Sequence, residues 1–224
     1  YKYVKPLDYA VKDAELFRDY LKSPAGGSLN DDNIYYIADE LANEANFQVK
    51  GAAWLKAKKL QKGDRLFIYM AGHGDAIDED RFFYLTYDCN PAGDKNNYRM
   101  SDIKIMISKE TRKSVDVFLV MDACRTGDLP GGEEGRGFFT TSISEVRAGE
   151  MIMLATSAGQ KSWEDPNLGN GHGLFTWYLV DGLNGMADSS GSPDNKITMD
   201  ELKKYVDKYV PIIAQERFKN TQAC

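Results

Sequence analysis

The stretch VDVFLVMDACRTG, Val115–Gly127, reads as a buried strand that runs into a turn. Five apolar residues, Val117 to Met121, lead into Asp122, Ala123 and Cys124, and Arg125, Thr126 and Gly127 follow as the turn. A continuous apolar run of this length suits a strand covered on both faces, as in a parallel sheet flanked by helices. A second stretch repeats the design. Leu66–Gly74, LFIYMAGHG, is an apolar run that ends in His73 between two glycines.

Around these two runs the pattern alternates between helix and strand. Residues 8–22 place Ala10, Ala14, Phe17 and Leu21 at helical spacing. Ser23–Asn33 reads as a loop, Ile34–Ile37 as a short strand and Gly51–Leu60 as a helix. Asp75–Asp80 reads as an acidic loop, Phe82–Tyr87 as an aromatic strand and Cys89–Asn97 as a polar loop. Ser101 is placed to cap a helix that runs to about Lys113. Residues 127–149 carry six glycines and read as a long linker. Glu150–Ser157 is a further strand, Ala158–Gly173 a loop and Leu174–Leu183 an apolar helix. Gly185–Lys196 reads as a polar loop. Thr198 with Glu201 forms a capping box, opening a helix that Pro211 is expected to kink or end. The sum is a single α/β domain with a largely parallel sheet.

Bulk properties narrow the function. The 224 residues are 42% hydrophobic and 28% charged, with a formal net charge of −6 and a pI near 5.1. That balance disfavours nucleic acid and leaves room for basic substrates. No apolar run reaches the length of a membrane span, and none at the start resembles a signal peptide. Three cysteines cannot all pair, there is no CxxC, and two histidines argue against zinc. A reducing cytoplasm is the simplest compartment, and a monomer or part of a longer multidomain chain the simplest assembly.

Ligands of open α/β sheets bind beyond the carboxyl ends of the strands, where both His73 and Cys124 fall. A thiol becomes a strong nucleophile as thiolate, and a nearby imidazole can take its proton and later hand it to a leaving amine. His73 and Cys124 are therefore the candidate catalytic pair. Gly72 and Gly74 would allow unusual backbone angles and close approach of substrate, and the backbone N–H groups of Gly74 and Cys124 are candidate oxyanion donors. His172 is the rival histidine, in a loop with no strand to aim it. Cys89 reads as a structural thiol.

Cys124 lies 51 positions after His73 (73 to 124), the His-Gly to Ala-Cys spacing of caspases. The chain resembles the caspase-like cysteine peptidases, and more closely the metacaspases and their bacterial relatives. The resemblance rests on Asp13–Ala14, AGHG at 71–74, DACRTG at 122–127, ATSAGQKSWE at 155–164 and GHGLFTWYLVDGLNG at 171–185. It implies a six-stranded, mostly parallel sheet between helices, with a first strand ahead of Tyr1. It also implies a large-subunit-like region at 1–130, a linker at 127–149 that relatives cut on activation, and a small-subunit-like region at 148–224. Where caspases that select aspartate carry Gln-Ala-Cys and Ser-Trp-Arg, this chain has Asp122-Ala-Cys124 and Ser162-Trp163-Glu164. Asp13 matches a position that lines the first pocket of metacaspases. Three carboxylates at one pocket would pair with arginine or lysine, arginine being favoured by its planar fork. Exposed Arg or Lys in polypeptides is thus the expected substrate feature, with Ser162 and Trp163 beside the pocket. Arg136 and Arg147 are self-processing candidates, as are Lys95 and Arg99. The dyad requires no cofactor; many metacaspases need calcium, and Asp88, Asp102 and Asp128 are the candidate ligands. The alternatives are a non-proteolytic adaptor of the same fold or a Cys-His peptide ligase.

Overall fold

The computed structural model describes residues 1–76, 82–90, 95–124, 148–156 and 161–224, and at 76, 82, 95, 96 and 124 the backbone alone. The core is a five-stranded sheet built on β1 (Arg65–Ala76) and β4 (Asp116–Cys124), with β2 (Phe82–Asn90), β3 (Lys95–Arg99) and β5 (Glu150–Leu154). The strand order is β3-β2-β1-β4-β5. β1, β4 and β5 run parallel, while β2 and β3 form an antiparallel hairpin joined to the far end of β1.

β4 shows why its sequence is apolar without alternation. Phe118 and Val120 face one helical layer, made by α1 (Ala10–Lys22), α4 (Leu174–Asp181) and α6 (Met199–Phe218). Val117, Leu119 and Met121 face the other, where α3 (Met100–Thr111) supplies Ile103 and Ile107. A strand covered on both sides must be apolar on both sides. The short α2 (Ala52–Lys58) continues a π-helical turn at Asn46–Gly51. A two-stranded ribbon, β6 (Glu164–Asp165) and β7 (His172–Gly173), leads into α4, and α5 (Ala187–Ser190) follows it.

Several expectations are corrected. Ile34–Ile37 is not a strand. It lies half-buried along a groove of about 640 Å³ on the outer side of β1, lined also by Leu55, Leu66, Ile68 and Met70. Among the described residues, 65–71 of β1 pair with β4 on one side and with no strand on the other. Among the described residues the sheet thus has five strands, one fewer than the resemblance implies. Cys89–Asn97 is not simply a loop, because β2 reaches Asn90 and β3 begins at Lys95. Composition hid the hairpin: its polar residues pair through the backbone, while Phe83, Leu85 and Cys89 pack under the N-terminal Tyr1 and Val4. Ser101 is not a cap; Arg99 holds that position and makes no side-chain cap bond.

The capping box of Thr198 and Glu201 is present, but α6 continues through Pro211 to Phe218. A proline inside a helix costs about 3 kcal/mol. Here Val206, Val210 and Ala214, all fully buried against α4, hold the helix together across it. Thr198→Ala is expected to lower stability by about 1 kcal/mol, read from the midpoint of urea unfolding at unchanged slope.

Candidate active site

The parallel register of β1 and β4 runs without a break from Arg65↔Asp116 to His73↔Cys124. The two candidate residues are therefore cross-strand neighbours at the carboxyl ends of adjacent strands. His73 is fully buried. Its Nε2 lies 2.9 Å from the carbonyl oxygen of Lys5, and its ring packs 4.8 Å from that of Tyr1. A carbonyl only accepts, so Nε2 donates and carries the proton. The neutral imidazole then has its basic lone pair on Nδ1. The backbone N–H of His73 donates to the Tyr1 hydroxyl at 2.7 Å.

Gly72 serves close approach alone. It has no positive φ, and a Cβ there would stand 2.4 Å from the hydroxyls of both Tyr1 and Tyr84. Gly74 pairs with Tyr84 where β1 meets β2. The Lys5 carbonyl was invisible to sequence reasoning, since a backbone acceptor carries no residue signature.

A cluster of acids adjoins this strand end. Asp122, two residues before Cys124, is 8% exposed and faces the α1–α4 layer. Its Oδ1 accepts from Ser162 at 2.9 Å and its Oδ2 from Thr176 at 2.6 Å. The Thr176 hydroxyl in turn accepts from Tyr69 at 2.6 Å. Asp13 occupies the buried stripe of α1 with Phe17 and Leu21. It is hydrogen-bonded to His172 Nδ1 at 2.8 Å and accepts from the backbone N–H of Gly173. Gly173 separates the two acids: a Cβ there would lie 2.8 Å from Asp13 Oδ2 and 3.1 Å from Asp122 Oδ2. Glu164 is turned to the start of α1, where its carboxylate accepts from the amides of Asp8 and Tyr9.

Among the described residues, no lysine or arginine pairs with Asp13, Asp122 or Glu164. Burial raises the carboxyl of Asp13 from its ordinary 3.8 to about 8, and the nearby charge of Asp122 adds to the rise. Burial also raises Asp122 and Glu164. Among the described residues no cation offsets this burial, so the neutral forms of these carboxyls are favoured.

Other expected residues fall elsewhere. Trp163 stacks on Phe218 of α6 at 4.8 Å, against the core. His172 is not an unaimed loop residue, because β7 sets it beside Asp13. A two-residue strand has no period to read. Cys89 is fully buried, and its thiol is pushed up to about 11 by that burial. Arg99 is exposed at the end of β3. Arg136, Arg147 and Asp128 lie outside the described residues, as do the side chains of Lys95 and Cys124. Asp88 accepts from Thr86, and Asp102 stands in the first turn of α3. Among the described residues no three His, Cys, Asp or Glu side chains gather as a metal cage.

The caspase-domain family model matches residues 1–222. The chain belongs to the caspase family. A relative described as a probable protease, from a Desulfuromonadales bacterium, is 24% identical over 227 residues, which cover 91% of this chain. The chain spans only 27% of that relative's length. The matched family is one of peptidases. No described helix is long and apolar enough to cross a membrane.

The raised carboxyl of Asp13 has a consequence for stability. Its proton is held in the folded state and lost in the unfolded state between about pH 4 and pH 8. Stability from this group is thus full below pH 4 and falls as pH rises through about 8. His172, held below 6.5 by burial and then by Lys12, acts with the opposite sign but only at lower pH. Asp13→Asn is therefore expected to flatten the decline between pH 6.5 and 8.5 and to be the more stable protein at pH 8.5. Urea unfolding at the two pH values checks this; an equally steep decline in the variant would refute it.

Proposed function

We propose that this domain is a cysteine endopeptidase that cleaves peptide bonds after arginine or lysine, using His73 and Cys124 as its dyad. The observation that carries the reading is the register pair His73↔Cys124, with the Lys5 carbonyl fixing the imidazole tautomer. His73 Nδ1 takes the proton of the Cys124 thiol, and the thiolate attacks the scissile carbonyl carbon. A C–S bond forms, and the carbonyl π pair moves to oxygen, stabilised by the backbone N–H groups of Gly74 and Cys124. The electron pair returns, the C–N bond breaks, and the imidazolium gives its proton to the leaving amine. Water, deprotonated by the same nitrogen, then attacks the thioester and frees Cys124.

Specificity follows from charge. Asp13 and Asp122 flank Gly173, with no lysine or arginine paired to them among the described residues, and a guanidinium beside both would relieve the repulsion of two buried acids. An aspartate side chain would add to it. The resemblance to metacaspases implies the same substrates.

Fluorogenic peptides of defined P1 residue test both parts. Cys124→Ala is expected to abolish turnover, and His73→Ala to lower kcat by roughly a thousandfold. Arginyl peptides are expected to be the best substrates. Their KM should fall as pH rises toward 8, because Asp13 must give up its proton to meet the cation. Predominant cleavage after aspartate would sink the charge argument. Turnover that survives Cys124→Ala would sink the dyad, and ligated products in place of hydrolysed ones would show a ligase.

A further inference from the structure

Gln222 is fully buried although it lies in the irregular tail beyond α6. Burying a primary amide costs free energy unless its donors and acceptor are met, and here they are met by the segments that build the acidic pocket. Gln222 Oε1 accepts from the backbone N–H of Trp163 at 3.0 Å. Its Nε2 donates to the carbonyl of Ala155 at 2.8 Å and to the hydroxyl of Ser162 at 3.4 Å. Ser162 spends its own proton on Asp122.

The consequence is directional. A hydroxyl has one proton and rotates freely to place it. With Gln222 donating to its oxygen, Ser162 is set as acceptor on one side and donor to Asp122 on the other. The backbone contacts act in parallel. Ala155 follows β5, and its N–H donates to the carbonyl of Met121, the residue before Asp122. Gln222 therefore bridges the end of β5 to the 162–163 segment across the strand end where Asp122 sits. Neighbouring contacts hold the tail in place: Phe218 stacks on Trp163, Arg217 pairs with Asp165, and the Cys224 thiol also approaches the Ala155 carbonyl at 3.5 Å.

We infer that Gln222 is a positioning residue for substrate specificity, acting through Ser162 on the Asp122 carboxylate and so on the capture of the substrate's basic side chain. This rests on the reading of Asp122 as the group that meets that side chain. Gln222 touches neither His73 nor Asp13 among the described contacts, so its influence belongs to binding at the pocket and not to proton transfer at the dyad.

The test uses the whole chain with Gln222→Met, which keeps length and volume but loses the amide, and Gln222→Glu, which keeps an acceptor for Trp163 N–H but loses the donors. KM and kcat are measured on arginyl and lysyl peptides, in the wild-type and Ser162→Ala backgrounds. Gln222→Met is expected to raise KM for arginyl peptides about tenfold with kcat changed by less than about twofold. The effect should largely vanish when Ser162 is already alanine, because both residues act along one path. Gln222→Glu should raise KM as well, since its oxygens cannot donate to Ser162. Thermal unfolding of each variant shows whether it is folded at the assay temperature, and a generally loosened fold would lower kcat on all substrates and would not depend on Ser162. Unchanged KM in Gln222→Met, or an equal increase in both backgrounds, overturns the inference. If the wild-type chain prefers another P1 residue, the basic-specificity reading falls by itself, and the same comparison on the preferred residue decides the role of Gln222. A wild-type chain that cleaves no peptide overturns both.

Discussion

Nine consecutive register pairs between β1 and β4, from Arg65↔Asp116 to His73↔Cys124, are the constraint on which the site depends. Residue by residue, the pairing leaves no freedom in how the two strand ends meet. A slip of one position would set His73 beside Ala123 or past the end of β4, and the residues now facing α3 would turn toward α1 and α4. The register is held by two cores of different content. Phe118 and Val120 demand one face, and Val117, Leu119 and Met121 the other. The apolar residues of both strands thus position the chemistry without taking part in it.

The acidic cluster runs against that economy. Asp13 and Asp122 sit in positions that packing alone would fill with apolar side chains, and each has a raised carboxyl as a result. Hydroxyls and an imidazole hold them, from Ser162, Thr176 and His172, but among the described residues no lysine or arginine does so. A domain selected only for stability would place a cation or a hydrophobe there. On the proposed reading the arrangement is stability given up for a ligand, because a buried carboxyl with no cationic partner gains most from a cation that arrives later.

How much of this was legible depended on whether a feature had a period or a local partner. The strands at 66–71 and 115–123 were readable because unbroken apolar runs have few other meanings, and the strand-end positions of His73 and Cys124 came with them. The first helix was readable from Phe17 and Leu21, and Asp13 lies one turn before Phe17 on the same stripe. The β2–β3 hairpin was not, because Asn90, Lys95 and Asn97 pair through backbone atoms that any sequence supplies. Pro211 misled for the opposite reason: a strong local rule was overridden by burial on both sides. His172, Gly173 and Gln222 were missed as contributors to the pocket. Each acts through a partner more than fifty positions away, as in His172–Asp13 and Gln222–Trp163, and no window of sequence contains both.

That distance separates the two tasks of the site. His73, Cys124 and the Lys5 carbonyl all come from residues 1–124 and are joined by strand pairing and one hydrogen bond. The acids Asp13 and Asp122 also come from that part, but their hydrogen-bond partners, Ser162, His172, Gly173 and Thr176, come from residues 161–224, as does Gln222, which bonds Ser162. Among the described residues, the β4–β5 pairing and the helical layer over it join the two parts across the glycine-rich linker, together with hydrogen bonds such as Ser162–Asp122, His172–Asp13 and Tyr9–Glu164. A change in how the second part seats on β4 would therefore disturb the carboxylates before it disturbed the His73 to Cys124 register. If the acids select the substrate and His73 and Cys124 react, as we propose, selection can then be tuned or lost while the reacting pair stays in place.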